Sequence, residues 1–178
     1  RVILGSYLRI APRQVRFRYS SRGKPYLAEG IGDDACQFNL THSHELAAYA
    51  FTRGREIGID LEYVRPLADA EEIASRFFSA RENAEFHSLP EDLKLEAFYN
   101  CWTRKEAYLK ATGEGLGRDL DTFDVSLFPG APAALLKVEG DQAEATRWSL
   151  RTLALDSEYV AALAVEGSGW RVAYWEWL

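Results

Sequence analysis

Residues 56–62, Glu-Ile-Gly-Ile-Asp-Leu-Glu, alternate apolar and non-apolar side chains without a break. A period of two belongs to a β-strand, so Ile57, Ile59 and Leu61 are expected on one face and Gly58, Asp60 and Glu62 on the other. Two carboxylates then project side by side. Like charges that close are unfavourable in a strand unless a cation neutralises them, and a few hard oxygen ligands suit Mg²⁺, which keeps waters and ligand phosphates in its shell. Gly58 is expected to leave open space beside the pair, as a bound ligand needs. Alone, an Asp-x-Glu pair is more often the wet face of an edge strand, so the pattern needs partners elsewhere.

Turn signals at 21–25, 52–55, 113–115, 129–130 and 167–169 cut the chain into short elements. Strands are expected near 15–19, 35–41, 46–52, 56–62, 122–128, 147–153, 159–165 and 170–176, and helices over 2–10, 69–77, 80–88 and 92–112. Strands in runs of three with little βαβ alternation predict an α+β fold. Residues 46–51 resemble 160–165, an offset that lays Asp60 over Tyr174 and Glu62 over Glu176. The expected architecture is therefore two pseudo-symmetric subdomains, 1–66 and 67–178, each a helix on a small, mostly antiparallel sheet, with the ligand site at their interface.

A chain of 178 residues, 47% hydrophobic, can bury a sizeable core. Its longest apolar runs, such as 159–165, fall far short of the roughly 20 residues that cross a bilayer. With no apolar segment of signal-peptide type at the N-terminus, a cytoplasmic location is the default expectation. Cys36 and Cys101 lie far apart without neighbouring histidines, so both are expected reduced and buried, with no zinc site or disulfide framework. The chain has no methionine and starts at Arg1, which implies more chain ahead of it. Residues 1–28 carry seven basic and no acidic residues, whereas the remainder holds 14 basic against 27 acidic. Such a run is either a solvated face or a cradle for a polyanion, and a small phosphorylated ligand suits an acidic protein better than a nucleic acid does.

Three further segments could carry chemistry. In residues 102–110, Glu106 and Lys110 stand one helical turn apart, with Phe98, Trp102 and Leu109 able to anchor the helix. They read as a surface ion pair, or as a third carboxylate for Asp60 and Glu62 plus a point charge for a phosphate. Residues 38–43, Phe-Asn-Leu-Thr-His-Ser, end a strand in hydroxyls and an imidazole that can donate to phosphate oxygens, although such residues are also routine in turns. Arg22-Gly23-Lys24-Pro25 reads as a turn that offers Lys24 as a ligand contact.

Taken together, Gly23-Lys24-Pro25, Phe38 to Ser43, Gly58 to Glu62 and Trp102 to Lys110, continuing into Gly113-Glu114-Gly115-Leu116, resemble in order the motifs of the Sfp-type 4'-phosphopantetheinyl transferases. Thr41 stands where many members have Ser, which keeps the hydroxyl. The resemblance implies transfer of the phosphopantetheine arm of coenzyme A to a serine of an acyl- or peptidyl-carrier protein, with 3',5'-adenosine bisphosphate leaving. It implies that Asp60, Glu62 and Glu106 hold Mg²⁺, for which Mn²⁺ can substitute, and that Lys110 contacts the diphosphate. Lys24, Pro25, Thr41 and His42 would lie around the nucleotide, and helix residues after Lys110 would face the carrier. Glu106 and Lys110 are the expected catalytic pair, in a monomer that binds neither membrane nor nucleic acid. A metal-dependent nuclease and a non-catalytic coenzyme A module are the rival readings.

Overall fold

The computed structural model describes residues 1–31 and 36–176. The N-terminal elements are helix α1 (Val2–Leu8) and strands β1 (Phe17–Tyr19), β2 (Pro25–Leu27), β3 (Cys36–Ser43), β4 (Leu46–Arg53) and β5 (Ile57–Tyr63). Helices α2 (Ala70–Phe77), α3 (Ala80–Ser88) and α4 (Glu91–Thr112) follow. Strands β6 (Phe123–Val125) and β7 (Leu135–Val138), helix α5 (Glu144–Arg147) and strands β8 (Trp148–Thr152) and β9 (Tyr159–Glu166) complete the order. Among the described residues every ladder is antiparallel: β1 with β2, β3 with β4, β6 with β7, and a three-stranded sheet ordered β5-β9-β8. The α+β class is the expected one. Because β5 pairs with β9 along its whole length, the sheet joins chain before residue 66 to chain after it.

The alternation in β5 is realised as read. Ile57, Ile59 and Leu61 enter an apolar cluster with Leu163 and Val165 of β9, while the opposite face turns to α4. That helix, 22 residues long, buries side chains around most of its girth, including Phe98, Cys101, Lys105, Tyr108 and Ala111. A helix covered on several sides has no single apolar stripe, and α4 accordingly runs through the middle of the main core. Gly113 closes it in the left-handed region at φ 73°, its N–H bonded to Leu109 O at 2.9 Å.

Three sequence expectations need correction. Residues 170–176 form no strand. Strand β9 already has neighbours on both edges, and the C-terminal run instead lies beside β8 through side chains, with Arg151 donating to Trp170 O at 3.2 Å and packing over its ring. Strands β2 and β7 were not foreseen, being short and set among turn residues. Cys101 is buried as expected, whereas Cys36, at the start of β3, is only half-buried.

Candidate active site

The site lies where α4 crosses β5, and small residues set how closely it crosses. Gly58 pairs with Ala164 of β9, and Asp60 with Ala162. A Cβ on Gly58 would stand 2.1 Å from Ala107 O and 2.3 Å from Ala111 N. Gly58 therefore does not leave open space for a ligand, as its sequence context implied; the backbone of α4 fills that space. This contact brings Glu106 and Lys110, on either side of Ala107, down onto the strand that carries Asp60 and Glu62.

Asp60 is 4% exposed, and its Oδ1 accepts from Lys110 Nζ at 2.6 Å. Thr41 Oγ1 lies 3.4 Å from the same oxygen and 3.3 Å from Lys110 Nζ. Lys110, which the sequence left as a surface partner of Glu106 or a point charge for a phosphate, is ion-paired here with the buried Asp60, its own side chain only half-buried. Burial pushes the Asp60 carboxyl up in spite of Lys110. Burial and then the Asp60 charge raise Glu62, and burial, Asp60 and Glu62 together raise Glu106. The three carboxylates feel one another, so they share one electrostatic environment.

Among the described residues no three His, Cys, Asp or Glu side chains stand ready to hold a metal as they are. Lys110 supplies the positive charge in their midst. Asp60 Oδ2 nevertheless is buried with no hydrogen-bond partner. An orphaned carboxylate oxygen beside two further acids whose protonation is favoured is a donor set deficient in cation, and it fits a hard divalent ion.

Thr41 belongs to a series the sequence reading did not single out. Asn39, Thr41 and Ser43 alternate along β3, one continuous strand rather than a strand end with a polar turn, and each meets β5. Asn39 Oδ1 accepts from Ile59 N at 3.0 Å; Ser43 Oγ donates to Glu62 Oε2 at 3.0 Å and accepts from Tyr63 N at 3.1 Å. Period-two polarity in residues 38–43 was the signal that could have shown it. His42 lies on the opposite face of β3 and is exposed.

Lys24, 8% exposed, donates to Ala111 O at 2.6 Å and to Glu56 Oε2 at 2.7 Å. Arg22 donates to Glu114 O at 2.6 Å. These cations sit at the C-terminal end of α4, where the helix dipole favours them. Pro25, next in the chain, is half-buried at the start of β2.

The 4'-phosphopantetheinyl transferase superfamily profile matches residues 56–164, well over half of the chain. A 4'-phosphopantetheinyl transferase from a Nostoc species, HetI, is 46% identical over 177 residues, 99% of this chain and 71% of that protein. This chain belongs to the 4'-phosphopantetheinyl transferase superfamily. It is accordingly a transferase. Sfp of Bacillus subtilis is 33% identical over 127 residues, 71% of this chain and 54% of the relative. Among solved structures, the holo-(acyl-carrier-protein) synthase of Thermotoga maritima superposes with a TM-score of 0.51 at 23% identity, covering 64% of each chain, which shows a shared fold. The superfamily match contains Asp60, Glu62, Glu106 and Lys110, whereas Lys24, Asn39, Thr41 and Ser43 lie ahead of it, inside the HetI alignment.

Proposed function

We propose that this transferase moves the 4'-phosphopantetheine arm of coenzyme A to a serine of an apo acyl- or peptidyl-carrier protein, using a divalent cation held by Asp60, Glu62 and Glu106. The observation that carries the metal reading is the unpartnered, buried Asp60 Oδ2 among three mutually repelling carboxylates. When bound, Mg²⁺ or Mn²⁺ neutralises phosphate charge and helps hold the diphosphate in place.

The serine hydroxyl forms a bond to the β-phosphorus of coenzyme A as the bridging bond to 3',5'-adenosine bisphosphate breaks. Glu106 takes the hydroxyl proton; burial raises its carboxyl from the ordinary glutamate value, which makes it a stronger base. Lys110 releases Asp60 and donates to the diphosphate, so its charge follows the leaving group. Thr41 steadies Lys110 in both settings. Lys24, Pro25 and His42 border the nucleotide, with the Lys24 ammonium itself committed to the end of α4. Helix residues beyond Lys110 face the carrier.

Two pseudo-symmetric halves, 1–66 and 67–178, enclose the site. In each, a segment lies beside a hairpin through side chains: strand β5 beside β3, and the irregular residues 170–176 beside β8. The halves make their own interface through β5 and β9, which supports a monomer. No helix of the described residues is long and apolar enough to cross a membrane, and we place the reaction in the cytoplasm. Incubation with coenzyme A, Mg²⁺ and an apo carrier tests the reading by the mass of the carrier. A gain of one phosphopantetheine, lost with Glu106→Gln, supports it; a carrier of unchanged mass refutes it.

A further inference from the structure

We infer that Ser43 is a positioning residue that sets the Glu62 carboxylate for cation binding, an inference that rests on the metal reading above. Strands β3 and β5 rise side by side without a backbone ladder between them. Side chains of β3 take the place of its carbonyls. Asn39 Oδ1, on a residue 5% exposed, accepts from Ile59 N at 3.0 Å and so sets the register. Two residues on, Thr41 meets Asp60; two further on, Ser43 meets Glu62. Each carboxylate of β5 thus receives one hydroxyl from β3.

Ser43 does more than touch its partner. The Tyr63 N–H occupies a lone pair of its hydroxyl at 3.1 Å, which leaves the hydroxyl proton to point at Glu62 Oε2, 3.0 Å away. The rigid backbone of β5 therefore aims the proton, and the proton fixes one oxygen of Glu62 while the other is left for a cation. Glu62 is otherwise a flexible, half-buried side chain, and the Ser43 bond ties one of its oxygens to β3. Hydrogen bonds of this kind, one step behind the ligand, govern metal affinity because they hold the ligand before the ion arrives.

Mn²⁺ titration by electron paramagnetic resonance, on the whole chain, tests this with Ser43→Ala, Ser43→Thr and Glu62→Gln. Ser43→Ala is expected to weaken Mn²⁺ about 10-fold. In the transfer assay it should raise the half-saturating Mg²⁺ concentration by a similar factor while kcat at saturating metal stays within about twofold. Ser43→Thr, which keeps the hydroxyl, restores affinity. Ser43→Ala placed on Glu62→Gln adds no further loss, because the partner is already altered. Should Ser43→Ala unfold, Ser43→Cys fills the same space with a weak donor and is expected to show the same loss. Wild-type Mn²⁺ affinity in Ser43→Ala, or in Ser43→Cys where that variant replaces it, overturns the inference if Glu62→Gln is impaired. Unimpaired binding in Glu62→Gln overturns the metal reading itself, and this inference with it.

Discussion

Substituting Gly58 by alanine tests the contact on which the site is built. The added Cβ would stand 2.1 Å from Ala107 O, 2.3 Å from Ala111 N and 2.9 Å from Ala111 Cα, whereas ordinary contact begins near 3.4 Å. All three atoms are backbone, so no side-chain rotation relieves them, and α4 must retreat by about 1.3 Å, the difference between 3.4 and 2.1. Overpacking of this kind costs about 1–3 kcal/mol, and rigid partners on both sides place it at the upper end. At about 2–4 °C per kcal/mol for a chain of this size, the melting temperature should fall by roughly 6–12 °C. Glu106 and Lys110 ride on α4, and the 2.6 Å bond from Lys110 to Asp60 does not survive such a shift. Misplacement by about 1 Å lowers turnover by about 100-fold, in the folded protein below its melting point. Calorimetry with the carrier-mass assay measures both effects. Gly58→Ala melting like the wild type, with only a raised KM for coenzyme A, would refute the packing argument and restore Gly58 to the ligand-facing role its sequence suggests.

Lys24→Met removes the ammonium from Ala111 O and Glu56, and should destabilise by about 1.5–3 kcal/mol in urea titration, the range for hydrogen bonds to charged groups; an unchanged midpoint with weaker coenzyme A binding would instead make Lys24 a ligand contact alone. Lys105 and Glu82 are 1% and 0% exposed at 2.7 Å, and Lys105 also donates to Leu120 O and Phe123 O. Lys105→Met leaves that acid buried without its cation and should cost about 3–5 kcal/mol, partly restored by adding Glu82→Gln. The carboxyls of Asp60, Glu62 and Glu106 are raised above ordinary values of 3.8 and 4.5, so the folded chain holds protons the unfolded chain has lost. Their contribution is therefore most favourable below that range, and metal-free stability falls as pH rises from it through the raised values. Mg²⁺ competes with those protons, so it should raise the melting temperature more at pH 8 than at pH 5; an equal rise at both would contradict the shared site.

Much of the site was legible in the chain. Alternation over residues 56–62 assigned Asp60 and Glu62 to one face because side-chain direction in a strand depends only on local backbone geometry. The same locality placed Glu106 and Lys110 on one helical face. What Lys110 bonds to was not legible, because an ammonium near three carboxylates chooses by distance and burial, and Asp60 is the deepest. Lys24 was read as a ligand contact for the same reason: a lysine after a glycine turn gives no hint that a helix end 87 residues away will take its charge. That Asn39 and Ser43 reach β5 was not legible, because their partners are backbone and side-chain groups of another strand, and a polar alternation in one strand does not name its neighbour.

The sequence by itself determined most of the longer elements, the α+β class, the family and the chemical kinds of group that gather at the site, since periodicity, turn chemistry and ordered motifs are properties of short stretches. Only the tertiary structure decided that Gly58 is a seat for α4, that Lys110 neutralises Asp60, and that Ser43 stands behind Glu62. Those outcomes depend on which surfaces meet and at what separation, and contact distance between remote segments is set by the packing of the whole chain.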